Sequence, residues 1–437
     1  MSLDFDQPRD DHDRCDVLVI GGGPAGSSIA TLLAQRGRRV VLVEKERHPR
    51  FHIGESLLPL NLPLFDRLGV REQIERTSMR KYGVEFVSPY HRRTVSFEFS
   101  EAWDKNFPYS YQVRRSEFDH LLLRNAAAKG AEVVEATRVT EVALPSGGGA
   151  EVKAIGEGGQ ARCWRADFLV DASGRDTFIA KQLGTKQRNR RHNSAAIFGH
   201  FTGARRLPGK AEGNISIFWF DHGWFWFIPL ADGVTSVGAV CPPEYFKSRA
   251  GDLTEFFMKT IALCPEIADR LKEARLAAPV TATGNYSYNA KRMIGRNFLL
   301  VGDAFAFIDP VFSTGVYIAM TTAFLGADAV DDCLKAPHQA QRRLKRYEAE
   351  ARRGLSSFSW YIYRIRQPAF RNLFMSPRNY FRIQEAVLSL LAGDVFGRSP
   401  IALRLFAFKM IYYVNRLCLL FADLRRHKRS PALEASG

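Results

Sequence analysis

CDVLVIGGGPAGSSIATLLAQRGRRVVLVEKE, residues 15–46, is the stretch whose reading decides the fold. Val17 to Ile20 is a short apolar, β-branched-rich run and predicts a buried strand. Gly21, Gly23 and Gly26 follow in G-x-G-x-x-G spacing, with Pro24 and Ala25 inside the loop. Ser27 to Arg36 reads as a helix ended by Gly37. Val40 to Val43 reads as a second buried strand, with Glu44 and Lys45 at its end. Gly21 allows the tight turn, Gly23 lets backbone approach a pyrophosphate, and Gly26 lets helix pack close on strand. The helix N-terminus offers free N–H groups and partial positive charge to the phosphates. Glu44, about 20 residues past the loop, suits a ribose hydroxyl. A glycine turn alone is weak evidence. Strand, loop, helix, strand and acid in register predict a dinucleotide site, without saying which dinucleotide.

The rest of the chain divides around this unit. Residues 1–14 are acidic and polar, which predicts a disordered lead-in and no signal peptide. Residues 15–80 form the first cofactor-binding part. Pro49, Gly54, Pro59 and Pro63 punctuate its second half, so it reads as loop and then short helix. Gly54-Glu55-Ser56 there suits a place beside the cofactor, or else Ser56 is a helix N-cap. Residues 81–110 hold a hairpin, two alternating runs from Tyr82 to Phe99 around Ser88-Pro89, with Lys81 just before it. Without further context that lysine is solvated surface.

Residues 111–185 form a second cofactor-binding part, with Arg115 just before a helix from about Ser116. Strands of about Ala131–Val142 and Glu151–Ile155 flank the Gly-rich turn at Ser146–Gly149. The run Phe168–Asp171 then leads into a turn at Gly174, which resembles the second flavin-contacting loop of the large FAD-dependent hydroxylases. Residues 186–290 are crowded with aromatics, among them Phe198, Phe218, Trp219, Trp224 and Trp226. They read as an inserted β-sheet over a substrate chamber, crossed by a helix from Leu253 to Ala274. Residues 291–340 return to the cofactor: a strand ends in Gly302-Asp303, and an apolar helix starts near Gly315. The Asp303 carboxylate suits sugar or ribityl hydroxyls. Together these parts predict an α/β, Rossmann-like FAD-binding fold of the FAD-monooxygenase type, with an inserted β-sheet substrate domain and a helical C-terminal region. No second G-x-G-x-x-G follows a strand, so a dedicated NADPH domain is not expected.

Composition sets outer bounds. A chain of 437 residues buries a large core and holds two or three packed subdomains. Its hydrophobic content of 46% and charged content of 25% are those of an ordinary soluble protein. A net charge of +16 favours acidic partners such as nucleic acid, anionic membrane or an acidic protein. Arginine is spread along the whole chain, however, which an Arg-rich genome also produces. No nucleic-acid recognition module is visible, so no nucleic-acid partner is expected. The six cysteines lie far apart with no metal-ligand spacing, which predicts core thiols, no metal, and a reducing, cytoplasmic setting. The longest apolar stretch, Ala304–Ala327, is broken by Asp309-Pro310 and Ser313-Thr314-Gly315, which argues against a membrane span. Residues 341–437 are helical and basic. Arg404, Lys409 and Arg416 interrupt the last apolar helix, so it packs on the body or lies on a membrane surface.

Gly223-Trp224-Phe225-Trp226-Phe227-Ile228-Pro229 contains W-x-W-x-I-P. With the Gly loop, Gly54-Glu55-Ser56, Lys81 in K-x-G-x-x-F, and GDAFAFIDPVFSTG, it resembles the flavin-dependent halogenases from about Cys15 to Ala340. Alternation puts Trp224, Trp226 and Ile228 on one face of a strand. Core packing explains such rings as well. The resemblance implies that they face the flavin and wall it off from the organic substrate. It further implies FAD used as FADH2, supplied by a separate flavin reductase. Oxygen and a halide, chloride or bromide, then give hypohalous acid. That acid crosses a tunnel to Lys81, and an electron-rich ring takes the halogen. The implied cofactor set is Gly21, Gly23, Pro24, Ala25, Gly26, Glu44, Lys45, Glu55, Ser56, Arg115, Gly174 and Asp303. Lys81, Trp224 and Trp226 are the catalytic candidates. Ser313, Thr314 and Gly315 match the halide loop, where backbone N–H groups form a small anion nest.

One departure from the family matters. Members acting on free tryptophan place a glutamate directly before Ser-Thr-Gly, and here the residue is Phe312. The pattern resembles members acting on phenols, or on pyrrole and aryl groups carried by a peptidyl or acyl carrier protein. Two rivals share the fold: an FAD hydroxylase or flavin reductase that consumes NAD(P)H and ignores halide, and a non-halogenating flavoprotein anchored by its C-terminal helices.

Overall fold

Continuous aliphatic runs make strands buried on both faces, and the first sheet is built of them. The computed structural model describes residues 14–433 apart from 190–191, 285–286, 378 and 397–398, with side chains up to Phe421 in the last helix. Residues 1–13 of the expected lead-in lie outside the described residues. Arg14 already opens β1 (Arg14–Ile20), opposite Arg165. The sheet runs β7 (Glu132–Val134), β2 (Val40–Val43), β1, β10 (Ala161–Asp171), β9 (Ala150–Ile155), β8 (Arg138–Ala143), with β19 (Phe298–Leu300) also beside β10. β7, β2, β1, β10 and β19 are parallel neighbours, while β9 and β8 return antiparallel.

Helix α1 (Pro24–Ala34) leaves the first turn and packs between α4 (Arg115–Ala128) and α9 (Thr314–Lys335). Two glycines are forced by this crossing. Gly21 has φ +100°, and a Cβ there would meet the Ala172 carbonyl oxygen at 2.5 Å. A Cβ on Gly26 would sit 1.8 Å from the Gly21 carbonyl oxygen. Shorter helices α2 (Leu62–Leu68) and α3 (Arg71–Thr77) precede the hairpin, and α5 (Phe178–Gln182) follows β10.

A second sheet covers the first. Its order is β16 (Arg275–Leu276), β12 (Ala195–Thr202), β15 (Val234–Cys241), β14 (Gly223–Pro229), β13 (Ile215–Phe220), β4 (Gly83–Ser88), β5 (Arg93–Glu98), with β17 (Thr281–Thr283) also on β12. The hairpin expected at Tyr82–Phe99 is therefore an edge of the inserted sheet. Alternation along β14 divides its rings: Trp224, Trp226 and Ile228 join one apolar cluster, Phe225 and Phe227 the cluster on the other face. Gly238, opposite Trp226 in β15, leaves room for that indole. Two small sheets, β3 (Met79–Lys81) with β6 (Ser110–Gln112), and β11 (Lys186–Arg188), β18 (Tyr288–Ala290), β20 (Ala306–Phe307), tie the layers together.

The single helix expected from Leu253 to Ala274 is two, α7 (Leu253–Ala262) and α8 (Pro265–Arg270), after a short α6 (Pro243–Lys247). Pro265 lacks an N–H and suits a first helical position rather than a helix interior. The basic C-terminal region is helical as read: α10 (Ala340–Ile362), α11 (Pro368–Met375), α12 (Ile383–Ala392) and α13 (Ala402–Leu433). Among the described residues no helix is long and apolar enough to cross a membrane, and no cluster of side chains suits a metal ion.

Candidate active site

Where the parallel strands end, the two sheets enclose a cavity of about 390 Å³. Its wall brings together Gly21, Gly23, Pro24, Ala25, Glu44, Lys45, Glu55, Ser56, Arg115, Gly174, Asp303, Ser313, Gly315, Trp224 and Trp226. Gly26 and Thr314 are not on that wall. Gly26 stands behind it as a packing residue, and Thr314 is buried in the first turn of α9. Glu44 is tied to the loop it follows: Oε2 accepts from the Gly22 N–H at 2.6 Å and Oε1 from the Glu46 N–H at 2.9 Å. Lys45 pairs with Asp176 at 2.6 Å. Arg115 grips Asp119 with Nε and Nη2 at 2.8 and 2.9 Å and donates to the Ile53 carbonyl at 3.0 Å. Burial pushes the Asp303 carboxyl up to about 6 against the pull of Arg115 and Arg175. Glu55 is buried, with Oε1 2.8 Å from His200 Nε2 and Oε2 without a partner among the described residues.

Next to this cavity lies a chamber of about 20 Å³ around Lys81, walled by Leu58, Val84, Phe86, Phe99, Val311, Phe312 and Leu391. Strand β3 carries Lys81 inward, so it is fully buried, not solvated. Its amine donates to Ser56 Oγ at 2.9 Å and to the Leu57 carbonyl at 3.1 Å, and lies 5.3 Å from the centre of the Phe99 ring. Burial alone pushes it down to about 7. No carboxylate pairs with it among the described residues. A neutral amine has two N–H donors, and both are met here, leaving the lone pair for a third direction.

Trp224 and Trp226 line the cofactor cavity, and Ile215 and Ser313 line both cavities and so stand at their boundary. Ser313 adopts φ +57° and ψ 28°, left-handed for a residue that is not glycine, at the N-terminus of the 22-residue α9. Such strain persists where surrounding structure imposes it. Just before it, burial pushes the Asp309 carboxyl up to about 6. The Trp224 N–H helps hold that carboxyl down without reaching hydrogen-bond geometry.

The FAD binding domain family matches residues 14–357. The 1H-pyrrole-2-carbonyl-[peptidyl-carrier protein] chlorinase of Pseudomonas fluorescens is 30% identical over 410 residues, 89% of this chain and 90% of that protein. A flavin-dependent halogenase of Metacordyceps chlamydosporia is 30% identical over 414 residues, covering 88% of this chain and 76% of the relative. The chain belongs to the flavin-dependent halogenases. The solved structure of the myxobacterial chondrochloren halogenase, an FAD-dependent halogenase, matches it with a TM-score of 0.78 at 33% identity, over 89% of this chain and 92% of that one.

The halogenase is thus an FAD-dependent oxidoreductase, and its large cavity fits that cofactor. The unpartnered Glu55 Oε2 offers an acceptor for a hydroxyl. Gly174 and Gly315 border the cavity where a Cβ would meet nothing within 4 Å. The N-terminus of α1 reaches the wall at Pro24 and Ala25, as a pyrophosphate requires. Sequence reading missed His200, Ile215 and Gly238, because each takes its place from strand pairing across the inserted sheet. The alternating aromatics of β12 to β15 marked that sheet without marking these positions.

Proposed function

We propose that this halogenase delivers hypohalous acid from its FAD cavity to Lys81, and that Lys81 directs the halogen onto an electron-rich aromatic ring. The observation that carries this is an amine held near neutrality in a chamber sharing Ile215 and Ser313 with the cofactor cavity. Bound as FADH2, the cofactor would supply two of the four electrons that reduce oxygen, the halide giving the other two as it becomes hypohalous acid and the second oxygen atom leaving as water. Gly21 to Ala25 and Glu55 hold it, with Arg115 and Asp303 beside it. Backbone N–H groups of Thr314 and Gly315, free in the first turn of α9, hold the halide with Ser313. Lys81 holds the acid by hydrogen bond or takes its halogen as a haloamine. The halogen then bonds to a ring carbon, the ring loses a proton, and the oxygen leaves as water.

The ring is a phenol, a pyrrole or an aryl group. With Phe312 before the halide loop, no carboxylate stands there as a base, so an already activated ring is required. The chlorinase of Pseudomonas fluorescens, by its name, acts on a pyrrole carried by a peptidyl carrier protein. The net charge of +16 suits an acidic carrier of that kind. A separate flavin reductase supplies FADH2 in the cytoplasm, where the free thiols persist.

The test is product formation with FADH2 from a separate reductase, free and carrier-bound aryl substrates, and chloride or bromide in turn. Mass spectrometry reads the halogen isotope doublet. Lys81→Ala should lose the halogenated product while still oxidising FADH2. Wild-type product from that variant would remove the lysine from the reaction. NAD(P)H-driven, halide-independent oxygenation would favour the hydroxylase reading.

A further inference from the structure

The last helix has two apolar faces and only one of them is covered. Ile401, Phe408 and Tyr412 are buried against the body, where α13 packs on α11 and α12. At about 100° per residue, Leu403, Phe406, Met410, Val414, Leu417 and Phe421 fall on the opposite side, within a stripe about 80° wide. All six are exposed, Leu403 by 75% and Phe406 by 59%. Phe381, 88% exposed, adjoins the stripe through the bond from Arg404 Nε to its carbonyl. An apolar strip of this extent on a surface marks an interaction site rather than chance exposure.

Charge selects the partner. From Ile401 to Phe421 there is no Asp or Glu, while Arg404, Lys409 and Arg416 stand about 100–120° from the centre of the stripe. The cations therefore lie along the flanks, between the covered face and the open one. Arg404 stacks over Trp103 at 4.2 Å and Lys409 over Trp360 at 5.1 Å, which fixes both at that level. Apolar side chains below and cations at the waist are the arrangement of a helix lying in a lipid headgroup layer. The stripe is about 27 Å long, and a flat layer offers contact along that length.

We propose that the outward face of α13 seats the enzyme on an anionic lipid surface, parallel to the plane of the layer. The catalytic cavities lie on the body side of the helix, so this surface is separate from the halogenating site.

Full-length, FAD-loaded protein is sedimented with vesicles of phosphatidylglycerol and phosphatidylcholine, and with phosphatidylcholine alone. The expected result is co-sedimentation with the anionic vesicles, weaker with the neutral ones, and reduced at about 1 M salt, where the Debye length is about 3 Å. The double variant Phe406→Asp, Leu417→Asp should lose about tenfold or more of that binding, with its bound-flavin absorbance spectrum unchanged. Failure of the wild type to bind anionic vesicles would overturn the proposal, as would equal binding by the variant. A lipid-free dimer that the variant converts to monomer would also overturn it, since the stripe would then be a seam between copies. So would wild-type protein that ignores vesicles but binds an acidic carrier protein through these residues.

Discussion

The Lys81 amine donates to Ser56 Oγ at 2.9 Å, and Ser56 also lines the cofactor cavity, so one hydroxyl links the chamber of the lysine to the cavity of the flavin. Sequence reading gave Ser56 to the cofactor or to a helix N-cap. In the structure it bridges to Gln112 in extended backbone rather than capping a helix, and it supports the lysine while lining the cofactor cavity.

Ser56→Ala should therefore act on the lysine before it acts on the cofactor. The amine keeps the Leu57 carbonyl but loses one of its two acceptors, at a cost of about 1 kcal/mol in orientation. Halogenated product per FADH2 oxidised should fall about fivefold, while FAD affinity, read by fluorescence quenching, stays within about twofold. Ser56→Thr keeps the hydroxyl and should recover most of the yield. A variant that loses FAD and product together would place Ser56 with the cofactor alone.

The pH dependence of halogenation follows from the same amine. Burial lowers Lys81 to about 7 from an ordinary 10.5. Below about 7 it is protonated, its lone pair is taken, and transfer slows. Product per FADH2 oxidised should rise about tenfold per pH unit below 7 and level off above it. Normalising to flavin oxidation removes effects on the oxidative half of the reaction. A flat profile from pH 6 to 8 would show that the protonated amine works as well.

Stability should carry the same signature. The folded state binds fewer protons at Lys81 than the unfolded state between about 7 and 10.5. Stability contributed by this site therefore rises with pH across that window, by up to about 1.4 kcal/mol per unit, and its burial cost is full below 7. Lys81→Met fills similar space without a charge. Its melting temperature should exceed that of the wild type at pH 6, with the gap closing by pH 10. A gap that does not change with pH would mean that the lysine is not buried as described.

The fold was legible where one residue type is required by backbone geometry. Gly21 and Gly26 are forced by contacts of 2.5 and 1.8 Å from their would-be Cβ atoms, and the motif spacing exposed both. The alternation in GWFWFIP likewise put Trp224 and Trp226 on one face. What stayed hidden depends on contacts distant in sequence. Nothing near Ile215 says that β13 lies parallel to β4 and brings this residue between two cavities. His200 meets Glu55 only because β12 crosses the cofactor loop. The single helix expected from Leu253 to Ala274 is broken at Pro265, whose missing N–H suits a helix start and not a helix interior.

Gly26→Ala should be strongly damaging, although Gly26 is not on the cavity wall. Its methyl would require α1 to retreat from Gly21, opening the core around Ile29 and Ala30. Destabilisation of about 3 kcal/mol or more is expected, seen as a lower urea midpoint with FAD loss in proportion. Gly315→Ala, where a Cβ meets no atom within 4 Å, should leave the midpoint unchanged and affect only halide or FAD binding.

Ile215 tests the partition itself. It borders both cavities, and the lysine chamber holds only about 20 Å³. Ile215→Phe adds bulk at the boundary and should close the route from flavin to lysine without touching Lys81, Ser56 or the halide loop. FADH2 oxidation should continue at near wild-type rate, while halogenated product falls and oxidant escapes to a trap such as monochlorodimedone. Ile215→Ala widens the same boundary and should keep or raise the product yield, unless cavity formation, worth about 2–5 kcal/mol at a buried site, unfolds the sheet. Comparing the two variants separates blockage from instability. Equal yields from the Phe and Ala variants, both folded, would mean that the oxidant reaches Lys81 by another path.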